Sequence, residues 1–284
     1  MTANWNAYLR LMRFDRPIGA LLLLWPTWWA LILAGNGKAS PANCLIFTAG
    51  VIVMRAAGCV MNDIADRHYD PNVERTRDRP LASGELNLNQ AVVTFVVLML
   101  LALVLVLMTN RLTVLLAFAG AVLAISYPFF KRFTHFPQVV LGIAFGWGIP
   151  MSFAAQAGHV PDLAWALFVI NIVWVVIYDT LYAMVDRDDD VLIGVKSTAI
   201  FFGRHDLAVL RGCMALMLVL LLIMGWWRSL GWPWFAAVGV VAALFARQQW
   251  LARGRERDGC FRAFRNNNWV GLALFLGLAA NFIL

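Results

Sequence analysis

Two short acidic clusters hold the residue types from which a metal-dependent site is built. Residues 62–70 read NDIADRHYD and residues 186–190 read DRDDD. If the apolar segment before the first cluster continues as a helix, Asn62, Asp66 and Asp70 fall at i, i+4 and i+8 on one face. Asp63 then points elsewhere, and Pro71 ends the helix. Asp186 and Asp190 are also four apart, and Asp179 and Tyr182 project toward the same side. Like charges at this spacing repel, and partial burial makes the repulsion worse, so such faces need cations. Carboxylates beside an asparagine suit Mg2+, which prefers oxygen ligands and commonly shares them with substrate phosphates. The competing reading is that these are solvated loop acids. Asp179 weighs against it, because an acid inside an apolar segment marks a functional site by default.

Each cluster is followed by a basic, turn-containing stretch, ERTRDRPLASGE at 74–85 and IGVKSTAIFFGR at 193–204. Arg75, Arg77 and Arg79 follow the first cluster and Lys196 the second, while Lys131 and Arg132 close another apolar segment in SYPFFKRFT. A diphosphate held by Mg2+ would use such cations to neutralise its remaining charge. Membrane sidedness accounts for most arginines at 247–265, but less well for Lys131 and Arg132 in their very short loop.

The elements that must position these residues are membrane helices. The 284 residues are 62% hydrophobic and 14% charged, against about 25% charged in ordinary soluble domains. A span takes about 20 apolar residues. The pattern predicts an all-α polytopic membrane protein with about nine spans, near 18–34, 42–61, 91–109, 112–130, 137–156, 162–185, 206–226, 232–250 and 267–284. Residues 4–14 are expected to form an amphipathic surface helix. No cleavable signal peptide is expected, because the run after Arg10, Arg13 and Arg16 leads into further spans. With the N-terminus inside, the inside loops hold 19 of the 23 Lys and Arg residues, and Lys38, Arg111 and Arg228 lie outside. Arg55 falls within the second span. The positive-inside rule therefore puts the N-terminus and both acidic clusters at the cytoplasmic face, with the C-terminus outside. The net charge of +7 reflects loops facing anionic membrane lipids rather than nucleic acid. The four scattered cysteines form no CxxC pair and read as packing residues. The clusters follow the second and sixth spans, which suggests one domain over 1–284 with a parallel four-helix repeat, about 18–130 and 137–250.

The motifs resemble those of the UbiA-type intramembrane prenyltransferases. NDxxDxxxD is matched by Asn62-Asp63, Asp66 and Asp70, and DxxxD by Asp186 and Asp190. The likeness runs through RFDRPIGALLLLWPTWWAL (13–31), RAAGCVMNDIADRHYD (55–70), RPLASGE (79–85), YPFFKRFT (127–134) and YDTLYAMVDRDDDVLIGVKSTAIFFG (178–203). Leu181 is the one residue that departs, and it lies between motif elements. The YAMVDRDDD form is similar to the bacterial branch that acts on 4-hydroxybenzoate. The resemblance implies nine helices around a central cavity in the bacterial inner membrane. It also implies transfer of a long prenyl chain from its diphosphate onto 4-hydroxybenzoate, in ubiquinone biosynthesis. On that basis Asn62, Asp66, Asp70, Asp186 and Asp190 are expected to hold Mg2+, and Arg75, Lys131 and Lys196 the diphosphate. Asp186 is the candidate for polarising the phenol or taking its proton, and Arg132 for meeting the benzoate carboxylate. Arg13, Arg16, Tyr127, Asp179 and Tyr182 are further substrate-binding candidates. Three readings compete: another aromatic acceptor, a lipid phospho-alcohol transferase and a transporter. The YAMVDRDDD element opposes the first. The phospho-alcohol transferase lacks its DGxxAR opening here. A transporter would place its acids nearer the bilayer midplane.

Overall fold

The computed structural model describes residues 5–283. Its elements are α1 (Trp5–Leu11), α2 (Ile18–Ala34), α3 (Pro41–Asp66), α4 (Leu88–Leu107), α5 (Arg111–Phe130), α6 (Pro137–Gly146), α7 (Gly148–Ala157), α8 (Asp162–Ile193), α9 (Thr198–Phe202), α10 (Asp206–Trp227), α11 (Trp232–Ala252) and α12 (Arg257–Ile283). Among the described residues, seven helical stretches are long and apolar enough to cross a membrane. The count of about nine is thus approximate. Every expected span falls on a helix, but α2 is short at 17 residues and α12 is polar in its first half. Positions 4 and 284, at the ends of two expected helices, lie outside the described residues.

Local sequence explains the helix ends. Asn87 opens α4 with a capping box, exchanging hydrogen bonds with Gln90 at 2.9 Å each way. Asn110 caps α5 through the Thr113 N–H at 3.0 Å. The stretch 137–157 breaks at Trp147, where Pro150 removes a backbone donor. α8 is 32 residues long, about 48 Å by helix rise, against a hydrocarbon core of about 30 Å. The second acidic motif therefore rides on a helix that outruns the bilayer, and Gly194 ends it in the left-handed conformation, φ 72°.

The first motif does not continue as a helix, contrary to expectation. α3 stops at Asp66, and Asp70–Asn72 form a separate 3₁₀ turn. Pro71 disfavours the α conformation at Asp70 and cannot donate to the ladder. The Tyr69 N–H tightens onto the Asp66 carbonyl at 2.8 Å, and Thr76 Oγ1 donates to the Asp70 carbonyl at 2.9 Å. α4 fully buries only Ala91 and Leu98; Val93, Val97, Leu101 and Val104 are exposed, as on a lipid-facing helix, while Phe95 and Met99 pack inward. The core centres on α8 and α12. Trp174 donates to Asn267 at 3.0 Å and Trp29 to the Gly271 carbonyl at 3.2 Å, so the polar residues of α12 are paired inside the bundle.

Candidate active site

Two adjoining cavities open among these helices. The larger, about 800 Å3, runs from Arg10 and Arg13 at the end of α1 down between α3, α4 and α5 to Thr109 and Met151. The smaller, about 180 Å3, is polar and lies where α3 and α8 end. Six residues line both: Asn62, Arg75, Arg79, Tyr127, Asp179 and Tyr182.

The sequence-predicted residues converge on the small cavity from distant parts of the chain. Asn62, Asp66 and Asp70 come from α3 and the turn beyond it, and Asp186 and Asp190 from α8. Lys131 enters from the end of α5, and Lys196 from the loop after α8, whose backbone is tied by Lys196 N–H to the Lys131 carbonyl at 3.2 Å. Arg75, Tyr127, Asp179 and Tyr182 complete that group. Arg13 and Arg16 stand at the mouth of the larger cavity, Arg16 mostly exposed.

Arg132 is the exception. It lines neither cavity. Its Nη2 donates to the Ala65 carbonyl at 2.6 Å, and its guanidinium lies 5.3 Å from the ring centroids of Tyr69 and Phe129. Once α5 ends at Phe130, the tight turn sends Lys131 inward and Arg132 outward.

Cations and acids are paired across the site. Arg75 forks Asp186, with Nε at 2.8 Å and Nη2 at 2.6 Å, and lies 4.8 Å from the Tyr182 ring centroid. Lys131 is ion-paired to Asp66. Arg79 bridges Asp63 at 3.0 Å and Asp70 at 2.9 Å, and Arg13 Nη2 meets Asp63 at 2.8 Å. Burial opposes the charge on Arg75 and Arg79. The contacts with Tyr182 and Asp186 outweigh it at Arg75, and those with Asp63 and Asp70 at Arg79, so both stay above the ordinary arginine range.

The donors suit a hard cation. Asp66 Oδ1 is buried without a hydrogen-bond partner, and the Asp190 carboxylate makes no hydrogen bond or ion pair among the described residues. Among the described residues no three acidic, His or Cys side chains converge closely enough to hold a metal by themselves. Mg2+ tolerates this, since it usually keeps waters and takes further oxygens from substrate phosphates.

Three further residues stand at the site: Asp63, Arg79 and Arg55. Asp63 points away from the small cavity, as expected, but it organises Arg13 and Arg79 at the mouth of the large one. Arg79 is the hub of the first motif. Arg55 lines the large cavity, and its Nε is buried without a partner. Its signal was present: a lone cation in an apolar span, two helical turns before Asn62 on the same face.

Comparison with known proteins gives a consistent picture. A sequence model described as the UbiA prenyltransferase family matches residues 23–277. A 4-hydroxybenzoate octaprenyltransferase from Pectobacterium carotovorum is 56% identical over 275 residues, 97% of this chain and 96% of that one. One from Methylococcus capsulatus is 52% identical over 278 residues, 98% and 95% of the two chains. Among solved structures, the apo UbiA homolog from Aeropyrum pernix gives a TM-score of 0.82 at 22% identity, covering 92% of this chain and 97% of that one. A UbiA homolog from Archaeoglobus fulgidus bound to GPP and Mg2+ gives 0.77 at 17% identity, over 98% and 100% of the chains. At those identities the two structures speak for the fold alone.

Proposed function

Because this chain belongs to the UbiA prenyltransferase family, we propose that its two cavities receive the two ends of one prenyl-transfer reaction. The chain transfers a polyprenyl group from polyprenyl diphosphate to the 3-position of 4-hydroxybenzoate, in ubiquinone biosynthesis. One observation supports the division of labour. Six side chains line both cavities, so a polar chamber suited to a diphosphate opens directly on an apolar one suited to a prenyl chain and an aromatic ring.

Asn62, Asp66, Asp70, Asp186 and Asp190 would hold Mg2+, and Arg75, Arg79, Lys131 and Lys196 would take the remaining diphosphate charge. When bound, the ion offsets the negative charge that builds on the departing diphosphate. The bond from the allylic carbon to the diphosphate oxygen breaks, and its electrons leave with the oxygen. Tyr127 and Tyr182 line the wall that the two cavities share, where an aromatic ring can offset the positive charge left on the prenyl carbon. The apolar lining from α4 and α5 takes the prenyl tail and keeps water from that carbon. The ring carbon beside the hydroxyl bonds to it, and the proton on that ring carbon is then lost. We assign Asp186 to polarise the phenol or accept the proton.

The benzoate carboxylate needs a cation in this apolar setting. Arg132 faces away; of the arginines lining the large cavity, Arg10, Arg13, Arg75 and Arg79 are each ion-paired to an acid and Arg16 is exposed, which leaves Arg55 as the partner we assign.

The chain is a polytopic membrane protein. We place it in the bacterial inner membrane as one domain of two four-helix halves, with the cavity mouth and N-terminus cytoplasmic and the C-terminus periplasmic. The test is transfer in membranes expressing the chain, with labelled 4-hydroxybenzoate and a long-chain prenyl diphosphate. Label is expected to enter the lipid phase only with Mg2+ present. Label that stays aqueous would reject the assignment, whether or not a labelled dihydroxynaphthoate given in its place enters the lipid phase.

A further inference from the structure

Arg187 stands inside the second acidic motif yet serves neither cavity. Its Nη2 is ion-paired to Asp206, the first residue of α10. Its Nε is buried without a partner, so Asp206 is its sole hydrogen-bonded partner among the described residues. Asp206 is fully buried at 0% exposure. Its second partner comes from the turn between α11 and α12. Arg255 Nη2 lies 2.9 Å from Oδ1, and its Nε lies 3.1 and 3.2 Å from the two oxygens. Arg255 adopts φ 57°, a conformation that few non-glycine residues hold, and its Nη2 also donates to the Arg204 carbonyl at 3.0 Å. The Leu207 N–H adds a bond at 2.6 Å. One carboxylate thus gathers a guanidinium from α8 and another from the far end of the chain.

Helix geometry says what this does to the motif. At 100° per residue, Asp190 lies 40° from Asp186, Arg187 lies 100° to one side and Asp189 60° to the other. Arg187 and Asp189 therefore flank the face that carries the two acids of the small cavity. Arg187 is held by Asp206, and Asp189 by Arg257 at 3.1 Å. We propose that Asp206 is a positioning residue, which fixes the rotation of α8 through Arg187 so that Asp186 and Asp190 present their carboxylates together. Without Asp206, Arg187 would be left as a partly buried, uncompensated charge. It would turn to the nearest acid, and Asp190 at i+3 is within side-chain reach on a helix. A metal ligand would then be misaimed and neutralised at once.

This rests on the reading that Asp186 and Asp190 hold the divalent ion. The test therefore measures binding as well as turnover. Mn2+ binding to the purified full-length protein, with inorganic diphosphate present, is followed by electron paramagnetic resonance, together with Tm. Wild type is expected to bind, and Asp190→Asn to lose binding. Asp206→Asn should weaken Mn2+ affinity about tenfold, in the range for residues that support metal ligands from behind, and Asp206→Glu should restore most of it. Arg255→Gln, which keeps the Arg187–Asp206 pair, should lower Tm and leave Mn2+ affinity unchanged. Wild-type affinity in Asp206→Asn with only a lowered Tm would overturn the positioning role. If Asp206→Asn does not fold, Arg187→Gln carries the same test, with the same tenfold expectation and the same overturning result. Wild-type binding in Asp190→Asn would overturn the ligand reading itself, and the positioning role with it.

Discussion

Arg75 holds Asp186 with two nitrogens of its guanidinium, Nε at 2.8 Å and Nη2 at 2.6 Å, across 111 positions of the chain. The pair joins the loop after the first acidic motif to the second motif itself. Without substrate, Arg75 satisfies an acid that would otherwise face its neighbours uncompensated. In the proposed site the same guanidinium would also meet diphosphate oxygens, and so would be shared. Lysine keeps the charge but loses the fork. Arg75→Lys is therefore expected to raise the KM for prenyl diphosphate about tenfold, or about 1.4 kcal/mol, with a smaller change for 4-hydroxybenzoate. An unchanged donor KM in a folded variant would remove Arg75 from the diphosphate site.

Asp66 and Asp186 are the strongest tests of a two-motif site. Asp66 has one oxygen on Lys131 and one buried with no partner, so its second oxygen is free to take an ion. Asp66→Asn and Asp186→Asn are each expected to cut transfer by more than the roughly 10- to 100-fold seen for residues behind metal ligands. Their Tm should stay close to that of wild type. Near-normal turnover of either variant at saturating Mg2+ would sink the arrangement.

Asp189 and Asp190 are neighbours with opposite assignments. Asp189 pairs with Arg257 at 3.1 Å and lines neither cavity, whereas Asp190 lines the small one. The Arg257 pair is partly exposed, so Asp189→Asn should cost about 1 kcal/mol of stability or less. Its transfer rate should stay near that of wild type, while Asp190→Asn should lose transfer. Equal loss in both, measured side by side, would show the face of α8 to be misassigned.

Much of this was legible in the sequence because periodicity is local. Asp186 and Asp190 at i, i+4 share a face as expected, since α8 continues through them. The Asn62–Asp66–Asp70 register failed at its last member, because the chain leaves the helix at Asp66 and Asp70 is recruited instead by Arg79. Neither the Arg13–Asp63 pair nor the Arg187–Asp206 pair leaves any mark on hydropathy or spacing. The diverging directions of Lys131 and Arg132 depend on one turn, whose shape is set by partners on α3. Local pattern places the spans and the acids, and long-range ion pairs decide which side chains meet.

The proposed sidedness rests on the basic loops and can be checked by labelling. In a cysteine-free background, with Cys44, Cys59, Cys213 and Cys260 replaced, Lys38→Cys and His159→Cys lie on exposed turns on the predicted outer side. Both should react with a membrane-impermeant thiol reagent added to intact cells. Arg77→Cys, exposed in the loop of the first motif, should react only after the membrane is breached. Reaction of the residue-77 cysteine from outside would put both acidic motifs on the wrong face.

Gly19 is the quiet test of how the acceptor is held. Arg55 lies across it, and a Cβ at position 19 would clash with the Arg55 guanidinium. The clash is with the end of a flexible side chain, so α2 should persist and the guanidinium should move. The carboxyl of 4-hydroxybenzoate is ionised at neutral pH, as ordinary carboxyls are. Entering an apolar cavity, it pays a large desolvation cost unless a cation meets it. Gly19→Ala is therefore expected to raise the KM for 4-hydroxybenzoate about tenfold and leave that for prenyl diphosphate unchanged, with Tm near wild type. Arg55→Lys, which keeps the charge without the fork, should act in the same direction. If both variants weakened prenyl diphosphate and spared 4-hydroxybenzoate, Arg55 would belong to the diphosphate, and the carboxylate would have to be met from the cavity mouth by Arg13 or Arg16.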